Sequence, residues 1–279
     1  MQGSVASFEV LSLTYRFRAL DPFAFPAFLT GNVFRGALGS FLQSANSAAY
    51  RVLFEPTEPG STAGKTPPRP FVLRSRTVEG QNYSPGEIFS VQLNLFLTRV
   101  ELVDALSAAL TAMGDAGFGP TRSRAALLLP PEQVRHSLRL DEAFEPTRSL
   151  RVCFQTPTEL KSNGEISPPG PFFVLVEQVY ERLRRLITLY GSGDPGQNLK
   201  SLCKDARSIA LTGTDLRPIE VSRRGTRLGQ THPLGGFLGW AEYSGNLGPF
   251  LPLLQAASFI GVGRHTVWGN GEISSKRLG

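Results

Sequence analysis

The chain has 279 residues with a hydrophobic content of 41%, enough to bury a substantial core, and its length favours two domains of ordinary size. No apolar run approaches the roughly 20 residues that cross a bilayer, and residues 1–10 lack the features of a secretory signal, so we expect a cytoplasmic protein without a membrane partner. A net charge of +6, carried mainly by arginine, favours a polyanionic partner over a basic enzyme without one.

The first half of the chain predicts the element order β-α-β-β-α-β. Residues 8–18 alternate in part like a strand, and Asn32 is a candidate N-cap for a helix over residues 33–43. Strand patterns return at residues 71–73 and 88–97, an amphipathic helix is predicted over residues 103–110, and the apolar run 125–129 completes the order. This order is that of a ferredoxin-like, or split βαβ, domain.

The pattern restarts in the second half, so we place the domains at residues 1–147 and 148–279. Residues 152–154 predict a strand, residues 171–190 a long helix and residues 199–209 a second helical piece. Further elements are expected at residues 219–221, 237–243, 247–257 and 272–273. The predicted fold is therefore α+β, with two tandem ferredoxin-like (RRM-like, βαββαβ) domains and a C-terminal glycine-rich loop.

That loop lies between the last predicted helix and strand. Residues 260–271 read IGVGRHTVWGNG, which places four glycines around Arg264 and His265. Glycines let a nucleic-acid backbone approach closely, while successive N–H groups point at its phosphate oxygens. The residues expected to contact phosphate in this way are Gly261, Gly263, Gly269, Gly271 and Arg264.

A similar element occurs once in the first half. The helix predicted over residues 103–110 runs into Gly117-Phe118-Gly119, followed by basic residues and the apolar run 125–129. Gly117 and Gly261 are 144 positions apart (261 − 117), about half of the chain, as a duplicated domain would require. Chance is the competing explanation, because two glycines separated by one residue are a common pattern.

Several short segments stand out in chain order: residues 34–39 (FRGALG), 156–161 (TPTELK), 234–239 (LGGFLG) with 243–245 (YSG), and 261–269 (GVGRHTVWG). Taken in this order, they resemble the CRISPR precursor-RNA-processing endoribonucleases of the RAMP superfamily. Together they touch most of the chain. The resemblance implies tandem ferredoxin-like domains, binding of CRISPR repeat RNA as precursor and mature crRNA, and one metal-independent cut per repeat with no cofactor. Other CRISPR effector subunits are further candidate partners.

A cut of this kind begins when a ribose 2′-OH attacks its own 3′-phosphate, which leaves a 2′,3′-cyclic phosphate and a 5′-OH. The site then needs a base, an acid for the leaving oxygen and cations for the charged transition state. Histidine carries protons near neutral pH, and the chain has three. The resemblance implies a histidine in or near the first helix, yet that helix has none. We take His265 as the first candidate, His232 as the second, and expect His136 on a solvated connection.

A histidine-free site is the alternative. In that scheme cationic side chains position the RNA and stabilise charge, while Tyr15 or an arginine assists proton transfer. Arginine stays protonated and is a poor base, so its contribution would be electrostatic and positional. Arg35 has a simpler interpretation as well, a solvent-facing residue at the start of a helix. The cations of this scheme are Arg16, Arg18, Arg35 and Lys161, and a basic loop expected to bind RNA phosphates contains Arg223, Arg224 and Arg227.

Other functions remain open. A non-catalytic RAMP subunit would hold guide RNA in an effector complex, and an unrelated basic α+β module would bind RNA without repeat preference. Residues 60–66 resemble a nucleotide-binding P-loop, but the first glycine is one residue too close and prolines flank the segment. No metal site is predicted, because the carboxylates form no Asp-x-Asp or Glu-x-x-His pair and the two cysteines have no zinc-binding spacing.

Overall fold

The computed structural model describes residues 7–57, 67–119, 121–140, 146–162, 165–166, 170–192, 196–224 and 231–278. The chain divides into two compact units. The N-terminal unit comprises residues 9–136 and 267–269, and the C-terminal unit comprises residues 1–8, 137–266 and 270–279. Three residues of the glycine-rich loop, 267–269, therefore pack within the N-terminal unit. The domain limits 1–147 and 148–279 stay a prediction.

The first half of the chain contains three helices and a four-stranded sheet with one small two-stranded addition. The strands are β1 (Ser7–Ala19), β2 (Phe23–Ala24), β3 (Phe71–Arg74), β4 (Asn82–Tyr83), β5 (Ile88–Leu95) and β6 (Ala125–Arg139), and the helices are α1 (Thr30–Ala45), α2 (Ser47–Phe54) and α3 (Val100–Ala116). The sheet has the order β3-β5-β1-β6. Counting only these four strands, the order is second, third, first, fourth, which is the ferredoxin-like topology.

The second half repeats this topology. Its elements are β7 (Ser149–Thr158), β8 (Lys161–Ser162), β9 (Glu165–Ile166), α4 (Phe172–Tyr190), α5 (Gly196–Asp205), β10 (Ala210–Ile219), β11 (Ser222–Arg224), β12 (Thr231–Pro233), β13 (Gly236–Ser244), α6 (Leu251–Ile260) and β14 (Ile273–Arg277). The sheet order β10-β13-β7-β14 is again second, third, first, fourth. The predicted α+β fold with two ferredoxin-like domains is confirmed.

Aromatic side chains fill the core of the N-terminal unit. Phe17 stacks on Phe89 at 5.3 Å between ring centroids, and Phe34 of α1 lies 4.9 Å from Phe118. Phe118 stands between Gly117 and Gly119, so the cluster holds the first glycine turn against the sheet. Each such ring contributes roughly 1.5–3 kcal/mol by its burial, which makes this turn a fixed part of the core.

The core of the C-terminal unit lies between its sheet and the helices α4 and α6. Phe172 of α4 packs edge-on against Phe250 at 5.0 Å and lies 4.8 Å from Tyr243 of β13. Alternation along β7 buries Leu150, Val152 and Phe154 on this side and leaves the intervening residues partly exposed. The opposite face of the sheet is therefore open in part.

Three elements differ from the expectations. Helix α1 begins at Thr30, so Asn32 lies in its first turn and the N-cap predicted there is wrong, because the N-cap position is Leu29. Strand β6 runs to Arg139, which places His136 in a strand rather than on a connection. The sequence predicts a strand only near residues 219–221, whereas β10 spans Ala210–Ile219, largely exposed on both faces.

No described helix is long and apolar enough to span a membrane.

Candidate active site

The glycine-rich loop is fixed to the end of β7 by backbone hydrogen bonds. The amide of Arg264 donates to the carbonyl of Glu159 at 3.1 Å, and the amide of Gly271 donates to the carbonyl of Pro157 at 3.1 Å. The amide of Glu272 donates to the Thr156 hydroxyl oxygen at 2.8 Å. Two of the segments singled out in the sequence, 156–161 and 261–269, therefore interlock in the C-terminal unit.

A third segment joins them from β13. The side-chain amide of Asn270 donates to the carbonyl of Leu234 at 2.9 Å, and both of these residues are buried. Phe237 pairs with Thr158 across the β13–β7 ladder. The 234–239 segment thus contacts both the loop and β7, so three segments far apart in sequence lie together in one site.

The glycines pack against protein rather than opening room for RNA. A Cβ on Gly263 would overlap the carbonyl oxygen of Glu159, and a Cβ on Gly271 would overlap that of Val262. Gly261, Gly269 and Gly271 are also buried. The amides of Gly261 and Gly271 already donate to Ala257 and Pro157. The amides of Gly261 and Gly271 are therefore not open to phosphate, because both donate within the protein, and the phosphate contacts expected at Gly263 and Gly269 stay a prediction.

Arg264 is held in place by an ion pair. Its Nη1 lies 2.5 Å from Oε1 of Glu159, whose side chain is only 6% exposed, while that of Arg264 is 44% exposed. A buried carboxylate needs such a partner, because an unpaired buried charge is costly. The ion pair holds Nη1 of the guanidinium and leaves part of the Arg264 side chain at the surface.

His265 adopts a left-handed backbone conformation, with φ of 63°. Few residues other than glycine do so, and the strain concentrates at functional sites, where surrounding contacts hold the residue. Here the preceding residue supplies those contacts through its amide and its guanidinium, both bound to Glu159. His265 is half-buried, so part of the residue lies at the surface.

Lys161 belongs to the same unit and follows the segment that anchors the loop. Its neighbour Leu160 lies against Gly263, within 3.3 Å of the position that a Cβ would occupy there. The Lys161 carbonyl accepts a hydrogen bond of 2.8 Å from the side-chain amide of Gln178 on α4. Lys161 therefore follows the anchor Glu159 by two residues within the C-terminal unit, and its catalytic role stays a prediction.

Arg35 lies in the N-terminal unit and does not point into solvent. Its guanidinium carbon is 5.2 Å from the ring centroid of Phe54 and 5.8 Å from that of Trp268. The Trp268 backbone comes so close to α1 that a Cβ on Gly31 would overlap the Trp268 carbonyl. Arg35 is therefore positioned by cation–π contacts with two rings, one of which belongs to the glycine-rich loop.

Tyr15 lies in the core, and the expectation of a catalytic role is wrong. Its side chain is 0% exposed on the helix-facing side of β1. Burial raises the pKa of its phenol to about 12, and a hydrogen bond with Ser107 opposes the shift only in part. A phenol that neither meets solvent nor ionises near neutral pH cannot exchange protons with RNA.

Arg16 and Arg18 lie on the opposite, open face of the same strand. Both side chains are exposed, and in the ladder with β5 they stand opposite Ser90 and Ile88. In the described part of the chain neither arginine forms an ion pair. Both guanidinium groups are therefore available to phosphate.

The structure describes the remaining candidates, which surround strands β11 and β12, only in part. Strands β11 and β12 pair Arg223 with His232 and Arg224 with Thr231 through their backbones. The side chains of these residues, Arg227 and the P-loop-like residues 60–66 lie outside the described part of the structure. Among the residues that the structure describes, no group of three His, Cys, Asp or Glu side chains is arranged to hold a metal ion.

Sequence reasoning missed two partners of the predicted residues. The sequence analysis gives Glu159 no role, although it anchors Arg264. Phe54 carried no signal at all, because its link to Arg35 depends on the packing of α2 against α1. The sequence does offer one indication of the contact between Glu159 and Arg264, because both residues lie in segments that carry the family resemblance.

Two family models match the chain. Residues 152–273 match the CRISPR-associated endoribonuclease Cas6, and residues 8–135 match a model described as an N-terminal domain (AF_1859_N). No curated protein sequence matches.

Solved structures have the same fold. Cas6 (TTHB231) of Thermus thermophilus has a TM-score of 0.58 at 16% identity and covers 98% of this chain and 100% of that chain. The product complex of Cas6 (TTHB231) gives a TM-score of 0.60 at 17% identity, over 96% and 100%. A partial Cas6-RT-Cas1–Cas2 complex gives 0.58 at 14%, covering 99% of this chain and 47% of that chain. Such identities establish the fold alone. Together with the family match, they confirm the expected resemblance to CRISPR RNA-processing endoribonucleases.

Proposed function

We propose that the chain, whose residues 152–273 match the family model of the CRISPR-associated endoribonuclease Cas6, binds CRISPR repeat RNA and cuts precursor crRNA once per repeat. A ribose 2′-OH attacks the adjacent 3′-phosphate, and the products carry 2′,3′-cyclic phosphate and 5′-OH ends. The chain's own side chains supply the proton transfers and the positive charge, without a metal or a cofactor.

The observation that carries this proposal is the placement of His265 directly after an anchored arginine. His265 stands at φ of 63°, and Arg264 is tied to Glu159 through both its amide and its guanidinium. A proton carrier and a fixed cation are thus adjacent. Histidine protonates the leaving 5′-oxygen or takes the 2′-OH proton, while the exposed part of the guanidinium faces the phosphate.

The other cations have supporting roles in the proposal. Lys161 lies next to the anchor of the same loop and adds positive charge to the transition state. Arg35, set between Phe54 and Trp268, positions RNA in the N-terminal unit. The exposed Arg16 and Arg18 bind phosphates on the open sheet face, and Arg223, Arg224 and Arg227 do so on the β11–β12 side. Other CRISPR effector subunits are candidate partners for the RNA-bound protein.

One observation favours a second candidate, a RAMP subunit that holds crRNA without cutting it. Helix α1 contains no histidine, and the buried Tyr15 does not replace one. If His265 does not transfer protons, the remaining cations would bind RNA with little cleavage.

Incubation of the purified chain with labelled repeat RNA in excess EDTA separates these functions. We expect one cut per repeat with a cyclic phosphate at the 3′ end of the upstream product. Tight binding without a cut would favour the holding subunit, and binding without repeat preference would favour a generic RNA-binding module. Activity that is lost on chelation and restored by magnesium would overturn the metal-independent mechanism.

A further inference from the structure

The open face of the C-terminal sheet carries a flat, ordered pair of side chains away from the glycine-rich loop. Along β13 the partly exposed Trp240 and Glu242 alternate with the buried Ala241 and Tyr243. Along β7 the partly exposed Arg151 alternates in the same way with buried neighbours. These side chains therefore share the face opposite the helices.

The guanidinium of Arg151 lies over the ring of Trp240. Its guanidinium carbon is 4.2 Å from the indole ring centroid, shorter than the two contacts that Arg35 makes. Nε and Nη2 of Arg151 both donate to Oε1 of Glu242, at 2.9 Å and 2.5 Å. The carboxylate thus fixes the guanidinium plane, and the stack is pre-organised rather than mobile.

The surroundings leave this pair accessible. Gly213 on β10 lies beside the indole, where a Cβ would sit 3.4 Å from ring carbon Cζ3, so the missing side chain leaves room there. The Arg151 side chain is 37% exposed. On the other side of β7, the exposed Lys276 of β14 stands opposite Arg151 in the ladder. An exposed cation therefore lies next to the Arg151–Trp240 pair.

We propose that Trp240 and Arg151 form a stacking platform for one base of single-stranded RNA, with Lys276 bound to the adjoining phosphate. An unpaired base stacks on guanidinium and indole planes alike. Glu242 neutralises Arg151 and repels phosphate, so the group that lies on the pair is the base. The proposal rests on the proposed function for the identity of the RNA, and it adds a binding site outside the glycine-rich loop.

Binding measurements test the platform. The probes are labelled repeat RNA and an unstructured 12-nucleotide oligoadenylate. Trp240→Ala is expected to weaken binding of both RNAs about tenfold, in line with the contribution of one stacked base. Trp240→Phe keeps an aromatic face and should retain most of the affinity. Arg151→Lys keeps the charge but loses the plane, so it should weaken binding nearly as much as Trp240→Ala.

Controls separate this result from misfolding and from general charge. Arg184→Ala removes an exposed arginine on α4, where its only described ion pair is with Glu181, and it should leave RNA affinity unchanged. Each variant must melt within a few degrees of the wild type. If Trp240→Ala and Arg151→Lys both fold and bind both RNAs as tightly as the wild type, the platform does not bind RNA.

The two proposals fail in different ways. A wild-type chain that leaves repeat RNA uncut refutes the proposed nuclease, while affinity that still depends on Trp240 supports the platform. Cleavage by the wild type together with affinity that ignores Trp240 refutes the platform alone.

Discussion

At the scale of single residues, His265 combines strain with chemistry. Its φ of 63° is a conformation that costs a residue with a Cβ roughly 1–2 kcal/mol. The preceding residue, Arg264, is fixed to Glu159 through its amide and its guanidinium, so the loop holds this conformation. Substitution of His265 therefore tests the strain and the chemistry of the imidazole with two separate readouts.

We predict that His265→Ala slows single-turnover cleavage by roughly a hundredfold or more at saturating protein, since general acid–base catalysis contributes about 10²–10⁴ in rate. His265→Gly should lose the same activity and gain up to about 1 kcal/mol in unfolding free energy, because glycine adopts positive φ without penalty. Cleavage rates and urea unfolding measure the two effects. An unchanged rate in His265→Ala would remove His265 from the catalytic residues and leave the arginine scheme.

The site could be predicted from sequence only as far as its segments. The order of the 156–161, 234–239 and 261–269 segments identified the residues that interlock, because short segments that meet in space carried the family resemblance. The role of each glycine could not be predicted. Whether the space at a glycine is filled by RNA or by the carbonyl of Glu159 depends on the tertiary packing of the loop on β7.

At the scale of elements, alanine substitution of two glycines is expected to change the stability of the chain in opposite directions. Gly263 has φ of 70°, and a Cβ there would overlap the Glu159 carbonyl. Gly36 is exposed in the interior of α1 and has nothing within 4 Å of the position of a Cβ. The first glycine is required by the loop, whereas the second only lowers the stability of its helix.

Gly263→Ala should therefore destabilise the chain by more than about 1 kcal/mol, since it combines an overlap with a strained φ. Gly36→Ala should stabilise it by roughly 0.5–1 kcal/mol through helix propensity. Urea unfolding monitored by circular dichroism measures both changes. A Gly263→Ala variant as stable as the wild type would show that the loop moves away from β7 easily.

Another element-scale prediction concerns Glu79, which follows the short 3-10 helix Arg76–Val78 after β3. Burial raises the pKa of its carboxyl, and a 3.0 Å hydrogen bond from the Ser75 hydroxyl opposes the shift. A raised pKa in the folded chain means that the native state binds the proton more tightly than the unfolded state. The stability contribution is therefore full below the ordinary pKa of about 4.3 and is lost as pH rises through the folded value.

Glu79→Gln imitates the protonated carboxyl at every pH and keeps an oxygen for Ser75. We expect the variant to match the wild type near pH 4 and to become the more stable of the two as pH rises to about 7, because only the wild type must then bury a charge. Thermal unfolding of both proteins across this range tests the sign. A stability difference that is constant with pH would contradict the raised pKa.

Some elements escaped prediction for physical reasons. Apolar alternation identified β1 and β7, whose residues face a core on one side. The edge strand β10 has almost no buried residue, so it has no alternation to detect and was placed about ten residues too late. The start of α1 could not be predicted, because its N-cap residue, Leu29, has no side-chain acceptor and forms no capping hydrogen bond.

At the scale of the whole molecule, the two halves are variations of one design. Both α3 and α6 end at a glycine with positive φ, Gly117 at 78° and Gly261 at 75°. In both turns a residue other than glycine follows at positive φ, Arg122 at 53° and His265 at 63°. The weak sequence repeat therefore has a structural counterpart in its helix-ending glycine, although the residues at positive φ differ in register by one, since Arg122 is five residues after Gly117 and His265 is four residues after Gly261.

The last prediction concerns the net charge of +6 and the two exposed arginines of β1, Arg16 and Arg18. If Arg16 and Arg18 bind RNA phosphates, each releases condensed counterions on binding, and the logarithm of affinity falls with the logarithm of salt concentration by about 0.7 per phosphate neutralised on a single strand. Arg16→Ala and Arg18→Ala should each weaken binding of repeat RNA at low salt and flatten this dependence by roughly that amount. Arg184→Ala, on α4, should change neither quantity. Affinities measured from 50 to 300 mM salt provide the slopes, and variants that shift affinity at every salt concentration without a change of slope would show that these arginines do not contact phosphate.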